Sequence, residues 1–166
     1  LVGRVLEDFG LAGKIKLVLI TNGSQLDRPA IQNALEQMNT LNGEVWFKLD
    51  RAPDGGFNPV NQVVLSPVQV ARRLKSAAER CPTWLQTCMF ATDGRLPAEA
   101  DIAAWLDFVR LRLLEQVPLK GVLLYGLARQ PMLPGAAEHL SPAPAEWMES
   151  LKARMEALGL AVRLSL

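Results

Sequence analysis

At 166 residues the chain suits one domain built around one core, and a formal net charge of +1 supplies no long-range field for nucleic acid or an acidic partner. Apolar residues make up 49% and charged residues 21%, an ordinary globular mix. No apolar run approaches the roughly 20 residues that a helix needs to cross a bilayer, and no basic-then-apolar leader opens the chain.

The first ten residues, LVGRVLEDFG, read as the inside of a helix, with Val2, Val5, Leu6 and Phe9 on one face and Gly10 to end it. Because the chain opens in mid-pattern, without Met, a further segment is expected upstream. KIKLVLIT (14–21) is a short β-rich run, followed by Asn22-Gly23-Ser24 and a helix near 28–39 with Ile31, Leu35 and Met38 on one face. EVWFKLD (44–50) is a second strand, leading into a loop rich in Gly and Pro. Ser66 caps the next helix, which Pro67 opens and which runs to about Arg80, with Gln69 placed to return a hydrogen bond.

WLQTCMFA (84–91) is a third strand, and TDGRLP a turn. A long helix from Pro97 turns Ile102, Trp105, Leu106, Val109 and Leu113 inward. GVLLYGLA (121–128) is a fourth strand. After the loop RQPMLPGAAEHL, Ser141-Pro142 is expected to open the last helix, which buries Trp147, Met148, Leu151, Met155 and Leu158. AVRLSL (161–166) is a fifth strand.

Strands alternating with helices imply parallel strands joined by right-handed crossovers. The helix-to-strand connections are short. The strand-to-helix connections are long and carry most of the Gly, Pro and Asp, so a site belongs at the carboxyl ends of the strands.

Four groups of residues stand at that edge. Thr21-Asn22-Gly23-Ser24 gives a sharp turn, either plain punctuation or one that frees backbone N–H groups toward a ligand. Strand alternation puts Lys48 and Asp50 on one side, behind Trp46; the pair forms a structural ion pair or holds the ammonium and carboxylate of an amino acid. Gln86 shares a face with Cys88 and Phe90 if the third strand is regular. A polar side chain on a buried parallel strand satisfies a neighbour or touches a ligand. Tyr125, the chain's one tyrosine, and Arg129 close the fourth strand, as a core aromatic followed by a solvated charge or as a carboxylate-binding pair.

His139, the lone histidine, has no second His or Cys near it in sequence, so metal ligation is not expected. Neither a G-x-x-x-x-G-K-[ST] nor a G-x-G-x-x-G pattern occurs. Cys81 and Cys88 lack the spacing of a compact metal-ligand pair and read as ordinary thiols of a reducing, cytoplasmic compartment; a disulfide between them stays open.

LITNGS, VWFKLD, LQTCMF and GVLLYGLAR, followed by a Pro-rich loop and LSP, come in an order that resembles the radical S-adenosylmethionine (SAM) iron–sulfur oxidoreductases. The similarity is to those related to molybdenum-cofactor biosynthesis proteins and glycyl-radical-enzyme activases. It spans nearly the whole chain and rests on order and spacing rather than on any single motif.

The resemblance implies an α/β fold: a parallel sheet of about five strands with helices on the outer face, a fragment of a partial (β/α)6 TIM-like barrel. It makes residues 1–166 a single C-terminal portion of that barrel. It also implies cofactors, SAM and a [4Fe–4S] cluster, which together generate a 5′-deoxyadenosyl radical. The cluster motif, C-x-x-x-C-x-x-C, is absent here and is expected upstream, so this chain alone is expected to be inactive and need hold no cofactor.

By the same resemblance Asn22, Gly23 and Ser24 line the SAM site, Lys48 and Asp50 stand near the methionine moiety, and Gln86 and Tyr125 face the interior where SAM or substrate sits. Activases of the family carry Asp-x-Lys where this chain has Lys48-x-Asp50, which leaves the two roles open. Two readings from other classes compete. One is an open doubly wound domain that binds a phosphorylated ligand. The other is a non-catalytic half-barrel that self-associates through an exposed strand edge, an association expected under the first reading too. The substrate is not legible.

Overall fold

A computed structural model describes residues 1–53, 57–58, 63–64, 66–127 and 136–166, the side chains of 57, 58, 63, 64, 136 and 137 excepted. In chain order the elements are α1 (Val2–Asp8), β1 (Leu17–Thr21), α2 (Pro29–Thr40), β2 (Gly43–Lys48), β3 (Phe57–Asn58), β4 (Val63–Val64) and α3 (Pro67–Arg80). There follow β5 (Thr83–Cys88), β6 (Phe90–Thr92), α4 (Glu99–Leu114), β7 (Leu119–Tyr125), α5 (Ala136–His139), β8 (Leu140–Pro142), α6 (Ala145–Glu156) and β9 (Val162–Ser165).

Five strands form one parallel sheet in the order β1-β2-β5-β7-β9, and β3/β4 and β6/β8 are short antiparallel ribbons outside it. Each new strand joins the same growing edge. Right-handed crossovers then put α2, α3, α4 and α6 on one face. A doubly wound sheet reverses direction midway and places helices on both faces; this sheet does not reverse. The architecture is the one expected, a run of a partial barrel with its helices outside.

Alternation sorts the strand residues accordingly. Leu19, Val45, Phe47, Leu85, Val122, Leu124 and Leu164 face the helices and join Leu35, Leu74, Trp105, Val109, Met148 and Met155 in one core. Large aliphatic side chains buried in this way each contribute about 1.5–3 kcal/mol. α3 starts as its sequence requires, with Ser66 Oγ accepting the Gln69 N–H at 3.5 Å and Pro67 in the first turn. α4 has no side-chain cap, but Glu99 and Asp101 sit in its first turn, where carboxylates suit the helix dipole. Arg154 of α6 grips Glu99 with two bonds, at 2.6 and 3.0 Å.

Several local expectations change. The third strand stops at Cys88 instead of running to residue 91, because the Cys88 N–H turns to the Asp50 carboxylate and the chain then swings out to form β6. Phe90 therefore leaves the sheet. Ser141-Pro142 does not open α6: these residues belong to β8, paired with Ala91 and Phe90, and the helix begins at Ala145 after Pro144. β1 begins at Leu17 and β2 ends at Lys48. In α1 only Leu6 is buried, while Val2, Val5 and Phe9 stay exposed. Leu113, Trp147 and Leu158 are partly buried, at the margin of the core. Arg129 lies outside the described residues.

β7 carries one irregularity. Between the Thr83–Leu119 and Trp84–Gly121 pairs it holds an extra residue, and Gly121 sits at φ 147. A Cβ at Gly121 would run into the Ala161 carbonyl oxygen and lie 2.8 Å from the Trp84 ring. Gly121→Ala is expected to cost about 2 kcal/mol or more, through strained φ and lost approach to β9, read as a lower urea midpoint at unchanged slope.

Candidate functional site

The face opposite α2, α3, α4 and α6 carries three ladders of side chains, set by strand register. The first joins Ile20, Trp46, Trp84 and Gly121. The second joins Lys48, Gln86, Leu123 and Arg163, and the third Cys88, Tyr125 and Ser165. The carboxyl ends of the strands thus hold the polar ladders, and the apolar one lies behind them. Trp84 is only 4% exposed yet stands outside the main core cluster. It is roofed by the Arg163 guanidinium, 4.4 Å from its ring centroid, and Gly121 beside it leaves room for the ring.

Asp50 is the best-held group of the rim, 4% exposed just past the end of β2. Its Oδ1 accepts the Cys88 N–H at 2.9 Å and its Oδ2 lies 3.4 Å from Lys48 Nζ. The residue before it is pinned three times. Leu49 N–H donates to Gln86 O at 2.9 Å, and Leu49 O accepts from Trp105 Nε1 at 2.8 Å and Thr87 Oγ1 at 3.1 Å. The ion-pair reading of Lys48 and Asp50 is seen directly: Asp50 is a structural tie between β2 and β5, and Lys48 keeps a third of its side chain exposed beside it.

The electrostatics follow from this packing. Burial pushes the Cys88 thiol up to about 11, the Asp50 carboxylate adds to the rise, and Lys48 and Tyr125 oppose it. Burial also raises the Tyr125 hydroxyl, helped by Cys88. For Lys48 burial works against the charge, but the attraction of Asp50 and Tyr125 outweighs it, and its pKa rises. At neutral pH the rim thus holds a protonated thiol, a protonated phenol and a charged ammonium. A thiolate nucleophile is not among them.

Gln86 stands between Lys48 and Leu123 in its ladder, and its Oε1 is buried without a hydrogen-bond partner. Leaving such an acceptor unsatisfied costs roughly 1–3 kcal/mol, so it marks a place where a donor belongs. Asn22-Gly23-Ser24 closes β1 at the same edge. Asn22 Oδ1 accepts the Ser24 N–H and Thr21 Oγ1 the Gly23 N–H, each at 3.0 Å, so these two backbone donors serve the turn and are not free. Gly23, at φ 78, is required because a Cβ there would lie 2.6 Å from the Phe47 ring.

Lys48, Asp50, Gln86 and Tyr125 therefore stand together on adjoining strands, and Asn22, Gly23 and Ser24 at the neighbouring strand end. Arg163 and Ser165 were not singled out from the sequence. The signal was there, since alternation in AVRLSL puts both on one face and a charge inside a short strand needs a purpose.

A cluster of the kind the resemblance implies does not fit these residues. Cys81 and Cys88 are both free and sit at opposite ends of β5, and the described residues contain no group of three or more His, Cys, Asp and Glu that could share a metal ion. His139 pairs with Asp93 at 2.6 Å on the surface. No helix among the described residues is long and apolar enough to cross a membrane.

No family model and no curated protein matches the chain. Solved structures that share its fold include the following two. One is a domain of a pyruvate-formate lyase-activating enzyme from Bacteroides vulgatus, at TM-score 0.63 and 12% identity, covering 98% of this chain and 88% of that one. The other is a radical SAM methyltransferase from Sphaerobacter thermophilus, at TM-score 0.58 and 12% identity, covering 89% of this chain and 39% of that one.

Alkylation reads the rim directly. A thiol moved from 9.0 to about 11 holds about 100-fold less thiolate at pH 8 and should react about 100-fold more slowly with iodoacetamide, as followed by peptide mass spectrometry at Cys88. Asp50→Asn removes a charge that disfavours the thiolate and should speed the reaction. The same shift has a stability sign: between pH 9 and about 11 the folded chain keeps a proton that the unfolded chain has released, so Cys88 stabilises less as pH rises through that window.

Proposed function

We propose that this chain is the cofactor- and substrate-facing portion of a radical-SAM-type oxidoreductase barrel, a single domain whose iron–sulfur cluster is held by cysteines outside it. The observation that carries the reading is the polar rim at the carboxyl ends of a one-directional parallel sheet, Lys48, Gln86 and Tyr125 over Asp50, on the face opposite the crossover helices. The shared fold supports it.

The groups that would hold SAM are the side chains of Asn22 and Ser24, the turn at Gly23, the Lys48–Asp50 pair, Gln86 and Tyr125. Gln86 Oε1 is a buried acceptor without a donor, which suits a ligand rich in N–H and O–H groups. With both cofactors bound, the pair supplies one-electron chemistry that takes a hydrogen atom from a substrate. This chain's part is to place a positive charge at Lys48 Nζ, keep protons on Cys88 Sγ and Tyr125 Oη at neutral pH, and shield the site with Trp46 and Trp84. The two free cysteines suit a reducing, cytoplasmic compartment.

Calorimetric titration of this chain with SAM should give binding, and Gln86→Leu should weaken it about 10-fold. Anaerobic reconstitution of the protein that carries the cluster-binding region, with iron and sulfide, should yield 5′-deoxyadenosine on reduction. Absence of both SAM binding and this product defeats the reading.

Self-association is favoured separately by β1, an edge strand that leaves Val18 41% and Ile20 54% exposed on the open face. The proposed occupant is a second copy of the chain. Sedimentation should then show a dimer that Ile20→Lys converts to monomer.

A further inference from the structure

A cavity of about 350 Å³ lies on the open face, lined by Trp46, Gln86, Leu123, Tyr125, Arg163 and Ser165 together with nearby aliphatic groups. That volume is at the small end of ligand pockets. Among the described residues the lining is mostly apolar and contains one charged side chain, Arg163, and no acidic one. No ion pair among the described residues involves Arg163. Its guanidinium rests on the Trp84 ring instead, 4.4 Å from the centroid. A guanidinium held over a ring face keeps N–H donors at its edge available, and arginine reads a carboxylate through such donors.

Gln86, the residue beside Leu123 in the Lys48–Gln86–Leu123–Arg163 ladder, brings a buried oxygen without a partner. Trp46 adds an indole whose Nε1 is already bound to Glu44 Oε1 at 2.9 Å, so it offers the cavity an apolar surface and no donor. One unpaired cation, one unpaired acceptor and an aromatic wall define the complement: a flat molecule with one negative charge and an N–H or O–H. A doubly charged phosphate fits less well, since a single guanidinium would leave a charge uncompensated among apolar groups.

We infer that this cavity binds a small planar organic carboxylate as the substrate of the site, its charge on Arg163, its ring on Trp46 and its donor toward Gln86. The inference rests on the function proposed above only in calling this ligand a substrate; the preference for a carboxylate stands on the cavity itself.

The test is calorimetric titration of the chain with 4-aminobenzoate and with its uncharged counterpart, 4-aminobenzamide. The acid should bind about 10-fold more tightly than the amide. Arg163→Met should erase that difference. Ser165→Asp, an exposed position on the same strand, should erase it too by supplying Arg163 with an internal carboxylate, and it spares the stacking on Trp84 if Arg163→Met fails to fold. Gln86→Leu should weaken acid and amide alike. Circular dichroism checks each variant's fold.

Equal affinity for acid and amide, binding of neither, or a preference that survives both Arg163→Met and Ser165→Asp overturns the inference. SAM titration of the unmutated chain, beside the acid and amide titrations, separates the two proposals. SAM bound without a carboxylate preference removes only the cavity's assignment. A carboxylate preference without SAM binding removes only the cofactor reading.

Discussion

The constraint on which the rest depends is that every strand of the sheet is laid down on the same edge, in the order β1-β2-β5-β7-β9. With right-handed crossovers, each intervening helix must then fall on the same side. One face carries α2, α3, α4 and α6, and none of these four lies on the other. Strand alternation turns this asymmetry into chemistry. Phe47 and Leu85 enter the core, while their neighbours Lys48 and Gln86 are delivered to the open side. A register slip of one residue would exchange the two sets, so the core and the candidate site specify each other.

The rim keeps its shape because β2 does not end in a free loop. Past Lys48 the chain gives its Leu49 N–H to β5, its Leu49 carbonyl to Thr87 and Trp105, and the Asp50 carboxylate to the Cys88 N–H. A buried carboxylate is costly unless it is both paired and hydrogen-bonded, and here it is both. Asp50 also ends β5: by taking the Cys88 N–H from the backbone ladder it releases the chain toward β6. One side chain thereby fixes the strand end, sets the charge at the Lys48 ammonium and helps keep the Cys88 thiol protonated.

Much of this was legible because it is periodic. The βα alternation, the α3 start at Ser66-Pro67 and the pairing of Lys48 with Asp50 follow from spacings of 2 and 3.6, and these survived folding. What was not legible depends on partners distant in sequence. Ser141-Pro142 is a sound helix opening taken by itself, but pairing with Phe90 and Ala91, about 50 residues away, makes it a strand. The apolar face of α1 was readable, and its exposure was not, since no pattern within a helix says what covers it. Arg163 was hidden for the same reason. Alternation assigns it a face, but only the arrival of Trp84 from β5, beside the gap at Gly121, makes it a stacked and unpaired cation.

The arrangement also narrows the kinds of chemistry available to this face. Hydrolysis by a cysteine or serine nucleophile needs a base to strip a proton, yet the one histidine is at the surface against Asp93, and the rim's thiol and phenol are both pushed toward holding their protons. An anion site for a polyphosphate needs clustered cations or free backbone donors, but Lys48 is bound to Asp50, and the Gly23 and Ser24 N–H groups are taken by their own turn. What remains is an open, aromatic-walled face with protonated hydrogen donors and two separated cations at opposite ends of one ladder. Such a face is poor at polar bond cleavage. It is suited to holding a ligand still while the reactive species comes from a cofactor, and the oxidoreductase reading asks no more of this chain than that.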